Sequence, residues 1–398
     1  MDSANSWRSA LDRWLTPFQE ALGDKRRHRW APLYIVGLLL PGERKSIQPI
    51  SARVAPHHGE QLHNFVATSH WDTAPVEEVL CHKIDEMLGG EDACLIIDDT
   101  SLPKKGTESV GVAHQYCGAL GKQANCQCLV SLTLARDDVP APVGLRLFLP
   151  QAWAEDRALR ERAKVPATVQ YRPKWRIALE ELDRVRATGL RFGCALADAG
   201  YGACAEFRRG LSERGLKWAV GILSTQNIYS ADVRVSMPPA ANRGRPRVRS
   251  IPSESPCSAE TFVDKHAAFR SVSWRTGSKG RLTGDFAIVR VRPADGPENK
   301  DGIHLPGDPA WLVCERLSDG ERKSYLVNLP GSASAKKIVA TIKARWACEQ
   351  MHQQAKEELG LDHFEGRSWF GLHHHALLTM IAYAFLVHLR LTENKSAA

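Results

Sequence analysis

The spacing of apolar and polar positions divides the chain into segments of different period. Up to about residue 90 the spacing is helical. Behind Pro75, which suits a first helical turn, Val76, Leu80, Ile84 and Met87 share one face. The period then changes. Ala93-Cys94-Leu95-Ile96-Ile97 is a continuous apolar run after Gly89-Gly90, which predicts a strand buried on both faces and ending on Asp98-Asp99. A long connection over 100–125 follows, with glycines at 106, 111, 118 and 121. Residues 127–136 and 143–149 alternate with period two around a turn at 137–142 and predict a hairpin. Next comes a helix with Trp175, Ala178, Leu179, Leu182 and Val185 on one stripe and Gly189 as its stop. A strand over 191–198 ends on Asp198 and breaks at Ala199-Gly200-Tyr201-Gly202 into a helix carrying Phe207 and Leu211. Trp218, Val220 and Ile222 mark one more strand. The succession predicts an α/β fold, a mixed sheet flanked by helices, with acids at two strand ends where such sheets place their chemistry.

From 224 to 330 the helical period disappears. Alternating segments at 269–275, 285–292, 310–315 and 323–327 predict a small β-rich insertion. Before them, residues 234–249 hold five arginines and no acid, a basic loop. Ser332 or Ser334 can then cap a helix that runs to Gly360. On that helix Arg345, Glu349, His352 and Lys356 fall on one stripe, beside an apolar stripe of Ala344, Cys348, Met351, Ala355 and Leu359. The expected organisation is therefore a helical N-terminal domain over 1–90, a mixed-sheet core over 91–223, the insertion over 224–330, and a return to the core over 331–398 with the helix of Glu349 and a C-terminal helix.

Composition narrows the class only a little. The 398 residues are 43% hydrophobic and 25% charged, an ordinary globular balance. A formal charge of +8 permits a polyanionic partner without requiring one. Ten cysteines with no C-x-x-C pair read as reduced thiols, which argues against a zinc site. Residues 1–14 carry acids and no apolar stretch of signal-peptide type. The longest apolar runs, 33–41 and 376–387, fall short of the roughly 20 residues of a membrane span. The expectation is a soluble, cytoplasmic protein without a membrane partner. Lys25-Arg26-Arg27-His28-Arg29-Trp30 can grip phosphates or form a solvated loop between helices.

The chemistry rests on three acids: one of the Asp98-Asp99 pair, Asp198 and Glu349. Two carboxylates about 4 Å apart repel by roughly 4 kcal/mol at an effective dielectric near 20, so a trio needs cations. Hard oxygen ligands favour Mg²⁺ or Mn²⁺, and two such ions can activate water and stabilise the leaving oxygen of a phosphodiester.

Residues 345–356, Arg-Trp-Ala-Cys-Glu-Gln-Met-His-Gln-Gln-Ala-Lys, have the R-x3-E-x6-K spacing of the Y-R-E-K signature of bacterial insertion-sequence transposases of the DDE class. Ile97-Asp98-Asp99-Thr100 and Leu196-Ala197-Asp198-Ala199-Gly200-Tyr201 resemble the segments that hold the first two aspartates of that family. Residues 111–118 and 361–366 resemble it too. The resemblance, over about 30–390, implies a ribonuclease-H-like core interrupted by a β-rich insertion. It implies Asp99, Asp198 and Glu349 as ligands of two Mg²⁺ or Mn²⁺ ions. Asp98 competes with Asp99, which is preferred because it immediately precedes Thr100. Arg345 and Lys356 would approach DNA, joined by Lys104 and Lys105 behind the acids and by Arg243, Arg245 and Arg247 in the basic loop. The Arg-Gly-Arg-Pro core of that loop also resembles an AT-hook, which lays arginines in the A·T minor groove. The signature's tyrosine position holds Ile342, so no function passes to it. The activity implied is that of a transposase that cuts its element ends in double-stranded DNA and joins the 3′-hydroxyl to target DNA, as a homodimer when it synapses two ends. The alternatives are a non-catalytic DNA-binding regulator derived from such an enzyme, and a metal-dependent nuclease without strand transfer.

Overall fold

A computed structural model describes residues 2–237, 250–277, 280–298, 302 and 304–397. The chain forms two compact units, 1–193 with 346–398 and 194–345.

The first unit opens with five helices: α1 (Asp2–Leu22), α2 (Lys25–Leu39), α3 (Ile47–Val54), α4 (Gly59–His63) and α5 (Ala74–Leu88). The basic cluster at 25–30 is helical and makes the first turns of α2. Asp24 caps that helix by accepting the Arg26 amide at 2.8 Å, and the Arg29 guanidinium lies 4.7 Å from the Trp30 ring centre. Four strands follow: β1 (Gly90–Pro103), β2 (Ala113–Cys117), β3 (Lys122–Arg136) and β4 (Val139–Leu147). β3 pairs antiparallel with β1, β2 and β4. Much of the expected long connection is therefore strand, because β1 runs on to Pro103 and β2 with β3 forms a second hairpin. The β3–β4 turn is also tighter than expected. Asp137 and Asp138 both take positive φ (50° and 62°), the geometry of a two-residue turn that aspartate tolerates. Pro140 and Pro142 then lie within β4, whose partner is β3. Two short helices, α6 (Gln151–Glu155) and α7 (Arg157–Arg162), lead to α8 (Lys174–Ala187), which buries Ile177, Ala178, Leu182 and Val185.

The second unit begins inside β5 (Phe192–Ala197) and continues through α9 (Ala199–Gly202), α10 (Ala205–Glu213) and β6 (Trp218–Ile222). β5 and β6 are parallel, with Leu196 opposite Ala219. Antiparallel β1, β3 and β4, then α8, then parallel β5 and β6 with α9 and α10 between them, make the succession of a ribonuclease-H-like core, and the fold is mixed α/β. Further strands follow: β7 (Asn227–Ser230), the short β8 (Val235–Ser236) and β9 (Ile251–Pro252), and β10 (Cys257–Ser258). After α11 (Ala259–His266) come β11 (Arg270–Gly277), β12 (Gly280–Pro293), β13 (Ala310–Arg316) and β14 (Arg322–Val327). β11 to β14 coincide with the alternating segments, and β14 closes back on β6. The arginines at 243, 245 and 247 lie outside the described residues.

The helix expected from Ser334 to Gly360 is two helices, α12 (Ala335–Lys343) and α13 (Trp346–Glu357). Ser334 caps α12 by accepting the Lys337 amide at 3.2 Å. At the other end the Ala344 amide is shared between the Ala340 and Thr341 carbonyls, which tightens the last turn and ends the helix. The last helix, α14 (Trp369–Ala397), outruns its apolar run. Trp369–Glu393 is long and apolar enough to cross a bilayer, yet it is mostly buried and forms the core of the first unit. Histidines and threonine interrupt the run in sequence without making the helix amphipathic. His373, His374 and His375 are buried with their neighbours.

Candidate functional site

Within the first unit, neighbouring acids on β1 face opposite ways, as strand geometry requires. Asp98 stands opposite Ser131 of β3, and Asp99 opposite Val130. The Ser131 hydroxyl lies 3.0 Å from the Asp98 carbonyl and 2.8 Å from His352 Nε2, so the Asp98–Ser131 face is the one α13 covers. The Cys348 thiol donates to Asp98 Oδ2 at 3.2 Å. Glu349 is the next residue along α13 and is exposed, while Ala347, Cys348, Met351 and Ala355 are buried beneath it. Of the expected apolar stripe, Cys348, Met351, Ala355 and Leu359 are buried, whereas Ala344, which precedes α13, is half-buried.

Asp99 belongs to the other face, over α8. Its Oδ2 accepts Lys174 Nζ at 2.5 Å. Burial by itself would lower the Lys174 ammonium, but the Asp99 carboxylate outweighs it and holds the group above its ordinary value. On the same face burial, then the charge of Asp99, pushes the Cys128 thiol up to about 12. The order of sequence preference, Asp99 before Asp98, therefore does not follow the order of approach to the Glu349 helix.

Asp198 lies in the second unit at the end of β5, where it caps α9 by accepting the Tyr201 amide at 3.2 Å. The glycine at 202 has a packing reason. A Cβ there would meet the Gly221 carbonyl oxygen at 2.0 Å, so the chain after Asp198 can lie directly on β6 only without a side chain. Arg345 also belongs to this unit.

The expected cations differ in state. Lys104 is half-buried, and its ammonium donates to the Phe364 carbonyl at 2.7 Å and the Asp362 carbonyl at 3.4 Å. Burial lowers it to about 8. It ties the end of β1 to the segment after α13. Lys105 is exposed. Lys356 is half-buried and its ammonium is lowered by burial. Sequence reasoning missed Lys174, Ser131 and the role of Cys348. The one available signal was strand alternation, which separates 98 from 99 once α13 and α8 are assigned to faces.

Neither unit, among its described residues, gathers three or more His, Cys, Asp or Glu able to hold a metal. The donors that Asp98 and Glu349 offer are carboxylate oxygens, which suit a hard divalent cation.

The family model of the DDE superfamily endonucleases matches residues 17–281, well over half of the chain, and the chain belongs to that family. The matched stretch holds Asp98, Asp99 and Asp198 and ends before α13. The chain is similar to the probable transposase for insertion sequence element IS701 of Microchaete diplosiphon, at 29% identity over 194 residues, 48% of each chain. It thus spans about half the length of that curated relative. Among solved structures it is similar to the piggyBac transposase synaptic complex with hairpin DNA, at 9% identity and a TM-score of 0.44, covering 94% of this chain and 67% of that one.

Proposed function

We propose that this DDE superfamily endonuclease is the transposase of an insertion sequence: it binds the ends of its element, hydrolyses the phosphodiester there and joins the freed 3′-hydroxyl to target DNA. Membership of the family and similarity to a probable insertion-sequence transposase support the reading. The observation that carries it is that α13, whose Cys348 donates to Asp98, bears Glu349 as its next residue, exposed to solvent. Asp98, Asp198 and Glu349 are the acids proposed to hold Mg²⁺ or Mn²⁺. Asp98 replaces Asp99 because Asp99 faces α8 and is bound by Lys174. Two such ions, when bound, would lower the pKa of water and stabilise the charge on the leaving oxygen. Arg345, Lys356 and Lys105 supply positive charge for the DNA backbone, and a homodimer would hold two ends together. A cytoplasmic location goes with such a task.

Replacing Glu349 by glutamine tests the enzyme reading. The residue is exposed, so the fold stays intact, while one negative charge is lost. Loss of a ligand costs several kcal/mol of transition-state stabilisation, at 1.36 kcal/mol per tenfold in rate. Glu349→Gln is expected to shift a labelled end fragment in a gel as wild type does and to nick it at least a thousandfold more slowly. Wild-type protein that binds the ends but never cuts them with Mg²⁺ or Mn²⁺ would leave a DNA-binding regulator. Cutting without joining to a target would leave a nuclease.

A further inference from the structure

Beyond Cys126 the β3 strand keeps one bond to the chain that continues β1, the Lys104 amide donating to the Asn125 carbonyl at 2.9 Å, and otherwise pairs with β2: Asn125 with His114, Ala124 with Gln115, Gln123 with Tyr116, and Lys122 with Cys117. A two-stranded ribbon, closed by the turn at 118–121, therefore runs on past the acid-bearing end of β1. Strand alternation assigns its faces. Ser131, Leu129, Gln127, Asn125 and Gln123 share one side of β3, and residues paired directly opposite share it too. His114 and Tyr116 are thus on the same face of the sheet as Asp98.

The chemistry of that face suits a nucleic acid. His114, Tyr116 and Gln123 are exposed, Tyr116 by 62%, and Asn125 is half-buried. All four carry side chains that donate or accept hydrogen bonds, and glutamine and asparagine are among those that read base edges. Lys105 and Lys122 are exposed beside the ribbon, and residues 109–136 contain no acid. Glu108, just before, is paired with Arg162. A protein partner would be met by apolar area, and the ribbon offers only Tyr116 and Leu120.

We propose that the β2–β3 ribbon enters the major groove of the element end and reads its sequence through Tyr116, Gln123, His114 and Asn125. The groove is wide enough for a two-stranded ribbon. From Ser131, opposite Asp98, to Gln123 is eight residues of β3. At about 3.3 Å per residue this is roughly 26 Å. That distance is about seven or eight base-pair steps of B-DNA, at 3.4 Å each. The bases read lie that far inward of the bond that is cut. The inference rests on the transposase reading and adds which bases the chain recognises and with what.

The test uses the full chain and two labelled duplexes: the terminal repeat found in the DNA flanking the coding sequence, and a shuffled duplex of equal composition. Wild type is expected to prefer the repeat and to protect bases about seven or eight positions from the cut against dimethyl sulfate. Tyr116→Ala with Gln123→Ala should reduce that preference at least tenfold and abolish the protection. Its melting temperature and its affinity for the shuffled duplex should stay unchanged. Lys122→Ala should weaken both duplexes alike. A double variant that keeps its preference and its footprint overturns the ribbon proposal, as does one that loses equally on both duplexes. Wild type without any preference for the repeat overturns the transposase reading itself.

Discussion

A carboxylate's neighbours decide what it can do, and residues 98 and 99 show this across a single peptide bond. Asp98 meets a thiol on the glutamate helix; Asp99 meets an ammonium on α8. Asp98→Asn is expected to abolish nicking, whereas Asp99→Asn, which frees Lys174, should lower stability and retain measurable cutting. A nicking assay on both variants ranks them, and the reverse order would restore Asp99. The α14 histidines bear on pH. His375 donates from Nε2 to the Gly360 and Leu361 carbonyls and accepts the Tyr34 hydroxyl, at 2.9 Å, on Nδ1. His373 donates from Nδ1 to the Trp369 carbonyl at 2.8 Å and accepts the Leu147 amide on Nε2. Both rings are therefore complete when neutral. Burial lowers them to about 3 for His373 and about 4 for His375, against the ordinary 6.5. Below 6.5 the unfolded chain binds the protons that the folded chain refuses. Stability is accordingly full above pH 6.5 and falls as pH drops toward 4, by up to about 1.4 kcal/mol per pH unit for each ring. A melting temperature that stays level from pH 7 to pH 4.5 would contradict this.

At the scale of elements, helices and strands with a strong period were legible in sequence. α5, α8, the β3–β4 hairpin and β11 to β14 all follow from alternation or from helical spacing. What escaped was set by local geometry. The two-residue turn at Asp137-Asp138 pulled Pro140 and Pro142 into a strand, and the shared amide of Ala344 ended a helix that spacing alone would continue. The ribbon was read as a loop because its short strands carry polar residues on the exposed face. The segment after Asp198 is held by a pair no pattern announces. Arg208 of α10 donates to Asp295 Oδ2 at 2.7 Å with both residues buried, and it also donates to the Gly202 carbonyl. Asp295→Ala leaves a buried guanidinium without its carboxylate and should cost about 3–5 kcal/mol. Replacing both residues by apolar ones of similar size should recover most of that, as thermal melting of the two variants would reveal.

For the whole molecule, the acids of the signature are divided between two units: Asp98, Asp99 and Glu349 in one, Asp198 in the other. Sequence could name them through resemblance but could not say which face of β1 matters, since that depends on which helix returns to it from some 250 residues away. Charge acts at this scale as well. With a formal +8, binding to any duplex is expected to weaken as salt rises from 50 to 200 mM. The slope of log K against log salt gives about 0.9 per phosphate contacted, and a flat plot would argue against DNA as the partner.

The two-faced burial of β1 has one more consequence. Leu95, Ile96 and Ile97 are all fully buried, so sliding the strand by one residue would exchange one apolar side chain for another on each face. Greasiness cannot tell the correct alignment from its neighbour. The acids can, because a slip would set Asp98 against the lysine and leave the thiol facing Ile97 or Asp99. Asp98, proposed for chemistry, and its neighbour Asp99 are then also the key that locks the strand in place. Their simultaneous loss should yield a mixture of alignments rather than an inert but well-formed protein.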